Sequence, residues 1–414
     1  MLQLNLEKFC GPSDKEILVK YIVLLGDGMP DHPLPDHDNK TPLQIANTPN
    51  MDFLAKNGIT GGIKTIPDGF PPGSDVSNLS VFGYDPELYY TGRSPLEAAS
   101  MGVDLDSGDI AFRCNLVTLK PAMNDLVMED YSAGHISSEE AKELINFLND
   151  KLGNENYIFY PGVSYRHLLV WKGGKEKMDL PPPHDLTGKG IKDLILSRSD
   201  EIMELLSSSQ MLLKNHAVNL KRAGEGKKAA NSIWLWGSGK KPAMPNLKKM
   251  YGLEGAVISA VDLLKGIGIY AGLDAIKVPG ATGYIDTNYE GKVSNALKVL
   301  EEKNFVYIHL EAADETSHEG SFENKIKAIE DFDSKVVGKI LKGINGYKKY
   351  RVLLTSDHPT PLNLMTHTAD KVPFAVYSPD MKGDKTIAFS EDLIKEGSKI
   401  FEKGFEIMEY FVKG

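Results

Sequence analysis

Three short apolar runs, Tyr21-Ile-Val-Leu-Leu25, Phe305-Val-Tyr-Ile-His-Leu310 and Arg351-Val-Leu-Leu-Thr355, each stop at a cluster of acids or histidines. Runs of this length, rich in β-branched and aromatic residues, read as strands buried on both faces. Helical patterns lie between or after them, at Thr48 to Asn57, Val293 to Lys303 and Phe322 to Leu341. This alternation predicts an α/β fold, a sheet covered by helices on both faces. In such sheets functional groups gather beyond the carboxyl ends of the strands, which is where the clusters stand.

The first run is followed by Gly26-Asp27-Gly28, where glycine on both sides permits a tight turn that exposes the Asp27 carboxylate, although a lone Asp-Gly is also an ordinary turn. The second is followed by Glu311-Ala-Ala-Asp314-Glu-Thr-Ser-His318. On a helix Asp314 and His318 stand about 5–6 Å apart at Cβ, so one metal can be gripped by both; the same spacing also occurs on solvated helix faces. The third is followed by Ser356-Asp357-His358 and, within a short loop, His367. A charge at a buried strand end has to be compensated, and a metal ion does so. Asp27, Asp314, Asp357, His318, His358 and His367 together offer enough mixed oxygen and nitrogen ligands for two divalent ions, and manganese or zinc suits that mixture better than calcium. His309, inside a strand run, reads as packed or solvated, as do His32, His37 and His216. Two ions roughly 4 Å apart suit phosphoryl transfer.

Such chemistry needs a nucleophile, and Pro71-Pro-Gly-Ser74-Asp-Val-Ser77 supplies a candidate. Pro-Pro-Gly makes a turn, and a serine just after it can enter a helix amino terminus, whose amides attract phosphate. Ser74 could simply cap that helix. Beside metal ligands it becomes a nucleophile, because coordination lowers the pKa of a hydroxyl.

The middle of the chain has a different texture. A capped helix follows Ser137 or Ser138, then comes a strand-like Gly162 to Trp171, then the Pro-rich Leu180 to Gly190. Residues 110–235 are therefore expected to form an inserted domain, with 1–109 and 236–414 making the other. A length of 414 residues and 41% hydrophobic content suit two cores. The net charge of −10, with both signs mixed along the chain, argues against nucleic acid or an anionic membrane as partner. Cys10 and Cys114 have no C-x-x-C spacing, which excludes a zinc knuckle and fits a reducing compartment. Charges interrupt the first twenty residues and no run of 18 apolar residues occurs, so neither a leader nor a membrane span is expected and the cytoplasm is the expected location.

Several blocks in order resemble the archaeal-type 2,3-bisphosphoglycerate-independent phosphoglycerate mutases of the alkaline phosphatase superfamily. They are Leu25-Gly-Asp-Gly-Met-Pro30, Lys40 to Asp52, Pro72 to Ser80, Gly83-Tyr-Asp-Pro86, Pro279 to Gly291, Ala312 to Gly320, Ser356 to Leu362 and Thr366 to Phe374. The resemblance implies an alkaline-phosphatase-like α/β sheet interrupted by a smaller α/β (α+β) substrate domain. It also implies a mutase that exchanges 3- and 2-phosphoglycerate through a phosphoserine at Ser74, without 2,3-bisphosphoglycerate. One metal would take Asp27, Ser74, Asp357 and His358, the other Asp314, His318 and His367. Both would be manganese, with zinc, cobalt or magnesium as alternatives. Retaining the glycerate needs cations and donors, and Arg113, His135, Arg166, His167, Lys240 and Lys241 are the candidates, with snorkelling of Arg113 and Arg166 and a solvated Lys240-Lys241 pair as the alternatives; Arg93 is a further candidate for a phosphate contact, with a structural salt bridge as its alternative. The chain departs from the family pattern at Met365, where an arginine is usual, and at Thr316-Ser317. Other readings are a phosphohydrolase or a mutase of the same superfamily acting on another small phospho-acid, and a silent metal-binding or phospho-ligand-binding protein.

Overall fold

A computed structural model describes residues 18–174, 180–197 and 199–414. The amino-terminal stretch read as lacking a leader lies, up to residue 17, outside the described residues, as does Cys10. The chain packs as two units. One comprises the described part of Met1–Ile66 with Tyr251–Ala260 and Lys277–Gly414, the other Pro67–Met250 with Val261–Ile276.

The first unit is built on a mixed sheet. Its strands run in the order Lys399–Phe401, Ile59–Ile63, Val372–Tyr377, Tyr350–Thr355, Lys20–Gly26, Phe305–Leu310 and Gly255–Ile258. The three apolar runs are thus neighbours. Lys20–Gly26 lies parallel to both partners, with Leu25 opposite His309 on one side and Thr355 on the other. Their carboxyl ends are level, so the acid and histidine clusters that follow emerge at the same edge. Helices form at Pro49–Asn57, Tyr289–Glu302 and Ala312–His318. The pattern over Phe322 to Leu341 is helical too, but it widens into a π-helical turn, Asp333–Val337, between Phe322–Phe332 and Gly338–Ile344. The Asp333 carboxylate accepts from the backbone amides of Asn50 and Met51, satisfying donors that the first turn of Pro49–Asn57 leaves open. The expected α/β class is borne out.

The second unit has an antiparallel sheet in the order Asp125–Asp130, Ile110–Ala122, Arg166–Trp171 and Tyr157–Val163, and Ser232–Lys240 also pairs with the long strand Ile110–Ala122. The expected helix forms over Ser138–Leu152, with the Ser137 side chain accepting from Glu140 N–H. Gly162 to Trp171 is not one strand: the chain turns at Ser164, whose φ is 52°, and returns as the next strand. The expected boundaries at 109/110 and 235/236 do not coincide with this unit. The second of them would cut the strand Ser232–Lys240. Helix Arg93–Ser100 packs so closely on helix Asp262–Tyr270 that a Cβ on Gly266 would stand 1.8 Å from the Leu96 carbonyl oxygen. That contact ties residues distant in sequence into one body. Among the described residues no helix is long and apolar enough to cross a membrane.

Candidate metal centre

In the first unit Asp27, Asp314, Asp357, His318, His358 and His367 converge at the carboxyl edge of the sheet. Donor atoms of Asp27, Asp357 and His358 lie within 4.8 Å of one another, as do those of Asp314, His358 and His367. The two groups meet at His358. Its Nε2 is 3.4 Å from Asp27 Oδ1 and 3.4 Å from Asp357 Oδ2. His318 Nε2 lies 3.2 Å from Asp314 Oδ2, and His367 Nε2 lies 3.4 Å from Asp314 Oδ1. The His358 ring is thus close to both sets.

Local backbone holds this arrangement. Gly28 has φ 64°, and a Cβ there would meet Asp314 Cα at 2.7 Å, so the Asp27 turn can approach the Asp314 helix only with glycine at this position. Asp357 Oδ1 accepts from the amides of His358 and Gly28, at 2.9 and 3.3 Å. Thr360 donates its hydroxyl to Asp314 Oδ1 and sits 3.2 Å from His358 Nδ1. Met365, at φ 52°, offers its carbonyl to His318 Nδ1 at 2.9 Å. The Met365 carbonyl takes the Nδ1 proton of His318, and His318 Nε2 lies 2.9 Å from His367 Nε2.

The electrostatics are those of a site built for cations. Asp27, Asp357 and Asp314 are 1%, 0% and 5% exposed. Burial, and then the neighbouring Asp357 and Asp314, push the Asp27 carboxyl well above the usual carboxylate range. Burial pushes Asp314 the same way, but hydrogen bonds to His318 and His367 hold it well below that range. The Asp314 hydrogen bond raises His318 to about 9, whereas burial lowers His358. Asp27 Oδ1 is buried without a hydrogen bond. Packing three carboxylates together out of water costs several kcal/mol unless positive charge joins them. The donor set therefore fits divalent cations.

His309, read from the sequence as packed or solvated, touches this centre directly. Its Nε2 is 2.9 Å from Asp27 Oδ2, and its Nδ1 is 3.1 Å from the Ser259 hydroxyl. Burial lowers it to about 3, so the ring is neutral and orients Asp27 by hydrogen bonding. His32 contacts Asp370, His37 stacks on Phe322 and His216 caps a helix, as ordinary packed or solvated histidines do.

Ser74 belongs to the second unit, where it opens helix Ser74–Val81 in a half-buried position. On the same unit Glu97 bridges two arginines, with Oε1 3.3 Å from Arg93 Nε and Oε2 3.0 Å from Arg113 Nε. Arg113 lies 4.3 Å over the Trp236 ring, and Arg166 5.5 Å from the Tyr165 ring. Burial brings Arg113 down to about 10, and Glu97 opposes that shift. His135 packs edge-on to Tyr131 and Tyr165. His184, which sequence patterns did not single out, packs edge-on to Tyr131 and Trp236. His167 is different: its ring is 3% exposed, burial lowers it to about 3, and Nδ1 accepts from Gly162 N–H at 3.0 Å. A neutral His167 ring can serve as a hydrogen-bond donor through Nε2 rather than as a cation. Lys241 pairs with Asp104 at 2.7 Å, and Lys240 is exposed at a strand end.

Fold and donor set define an α/β protein with a candidate two-metal centre at the carboxyl edge of its sheet. A family model described as 2,3-bisphosphoglycerate-independent phosphoglycerate mutase matches residues 55–219. A probable 2,3-bisphosphoglycerate-independent phosphoglycerate mutase of Geobacter sulfurreducens is 55% identical over 394 residues, covering 94% of this chain and 99% of that one. Among solved structures, a protein from Pyrococcus horikoshii superposes with a TM-score of 0.80 at 29% identity, covering 95% of this chain and 97% of that one. The cofactor-independent phosphoglycerate mutase of Thermoplasma acidophilum gives 0.64 at 27% identity, covering 95% and 98%. The chain belongs to the family of 2,3-bisphosphoglycerate-independent phosphoglycerate mutases, and so is an enzyme of the isomerase class.

Proposed function

We propose that the chain exchanges 3-phosphoglycerate and 2-phosphoglycerate through a phosphoserine at Ser74. Asp27, Ser74, Asp357 and His358 would hold one divalent ion, and Asp314, His318 and His367 the other. The observation that carries this reading is the buried convergence of carboxylates and imidazoles, in a chain 55% identical to a probable mutase. The bound ions, manganese in our reading with zinc, cobalt or magnesium as alternatives, would lower the pKa of a coordinated hydroxyl and neutralise charge on the phosphoryl group.

Ser74 Oγ forms a bond to phosphorus as the bond from phosphorus to O3 of the glycerate breaks, and the proton lost by the serine ends on O3. The glycerate then turns, its O2 attacks the same phosphorus, the bond to Ser74 Oγ breaks, and the serine regains a proton. The amides at the start of helix Ser74–Val81 favour a phosphate on its first residue. Arg93, Arg113 and Arg166, with His135, are proposed to keep the glycerate in place between the two transfers, since arginine grips carboxylate and phosphate in bidentate fashion. Lys240 and Lys241 are the remaining cations proposed for that task. We place the enzyme in the cytoplasm, where phosphoglycerates are turned over in glycolysis, with no nucleic-acid or membrane partner.

Product analysis tests the reading. Metal-loaded protein given 3-phosphoglycerate should yield 2-phosphoglycerate in an enolase-coupled assay, with little inorganic phosphate. The Arg113→Met variant should lose about 10- to 100-fold in kcat/KM, the worth of one charged hydrogen bond at ~1.5–3 kcal/mol. It should also release a larger share of phosphate, because the glycerate escapes more often. Phosphate without any 2-phosphoglycerate from the unaltered protein would sink the reading.

A further inference from the structure

The ligand-bearing segments of the metal centre are lashed together from beneath by an ion pair that none of the proposed chemistry uses. Lys325, in helix Phe322–Phe332, is entirely shielded from water, and so is its partner Asp31. Lys325 Nζ donates to Asp31 Oδ2 at 2.7 Å, to the Thr360 carbonyl at 2.9 Å and to the Pro30 carbonyl at 3.5 Å. An ammonium has three protons to place, and these acceptors take all three. Pro30 and Asp31 lie in the loop that begins at Asp27, and Thr360 lies in the loop that begins at Asp357. Asp31 in turn accepts from Leu362 N–H, at 3.1 Å to Oδ2. Thr360 N–H donates to the Pro30 carbonyl at 3.2 Å. From Thr360 the chain of contacts reaches the centre itself, since its hydroxyl donates to Asp314 Oδ1 and lies beside His358 Nδ1.

Stability alone does not explain such a pair. Taking an ammonium and a carboxylate out of water costs several kcal/mol for each ion, and well-packed apolar or neutral replacements are often as stable or more so. A buried ion pair does fix geometry, because each partner accepts very few arrangements. We infer that Lys325, with Asp31, is a positioning residue that sets the distance between the Asp27 loop and the Asp357–His358 loop, and so the affinity of the centre for its divalent ions. This inference rests on the metal-centre reading given above.

The test compares manganese(II) affinity with the stability of the metal-free protein. Three proteins are titrated calorimetrically with manganese(II): Lys325→Met, the double variant Lys325→Met/Asp31→Asn, and Asp357→Asn as a ligand control. The double variant carries no unpaired buried charge, so its metal-free form should melt within a few degrees of the parent. We expect both Lys325 variants to bind manganese about 10- to 100-fold more weakly, the range for groups that orient metal ligands. Parental manganese affinity in the double variant, while Asp357→Asn has lost it, would overturn the positioning role and leave the metal centre standing. Parental affinity in Asp357→Asn would instead overturn the metal-centre reading on which the inference depends.

Discussion

Replacing Ser74 with alanine is expected to lower turnover of 3-phosphoglycerate by roughly 10⁴-fold or more while the protein stays folded and still takes up divalent metal. The size follows from the role: when a covalent nucleophile is removed, residual catalysis comes only from binding and electrostatics. Folding should survive for local reasons. Ser74 is the first residue of its helix, where alanine is well tolerated, and Asn78 Nδ2 donates to the Ser74 carbonyl, which the substitution leaves in place. The Ser77 hydroxyl holds the turn by donating to the Gly73 carbonyl. Metal uptake should persist because Asp27, Asp314, Asp357, His318, His358 and His367 are untouched. Steady-state kinetics beside a metal titration check both halves, and a rate close to the parent's would remove Ser74 from the mechanism.

The second large effect is expected at Asp357. Asparagine there is nearly isosteric and can still accept from His358 N–H and Gly28 N–H, so the loop should keep its path. What it removes is one buried negative charge. Loss of an ion worth several kcal/mol of transition-state stabilisation lowers turnover by about 10³-fold or more. Stability should move in opposite directions with and without metal. In the metal-free parent, Asp357 is the neighbour that most raises the Asp27 carboxyl, so removing its charge relieves a repulsion. Metal-free Asp357→Asn should therefore melt above the metal-free parent, and added manganese should raise its melting temperature less than it raises the parent's. Melting curves with manganese or with chelator decide this; parallel shifts in the two proteins would contradict it.

The parts of the centre visible in the sequence are those announced by a change of texture. Asp27, Asp314 and Asp357 each follow an apolar strand run, and three level parallel strands carry whatever follows them to one place. His309 was not visible because it sits inside such a run, where a histidine looks like packing. Only the register, which sets it beside Leu25, shows that its ring can reach Asp27. Lys325 was hidden for a related reason, since a lysine in an amphipathic helix normally faces water. The limits of the second unit were misplaced because they depend on contacts between segments far apart in sequence, such as Leu96 with Gly266. The π-helical turn at Asp333–Val337 has no periodic signature of its own within a continuous helical pattern.

The central claim is that one phosphoryl group rests on Ser74 between leaving and rejoining the same glycerate. Metal-loaded protein mixed briefly with 3-phosphoglycerate, quenched in acid, digested and sequenced by mass spectrometry should carry one added phosphoryl group on the peptide containing Ser74. That group should disappear when the quench is delayed until after substrate has been removed. A phosphoryl group found reproducibly on another residue, or none on Ser74 while 2-phosphoglycerate accumulates, would contradict the account.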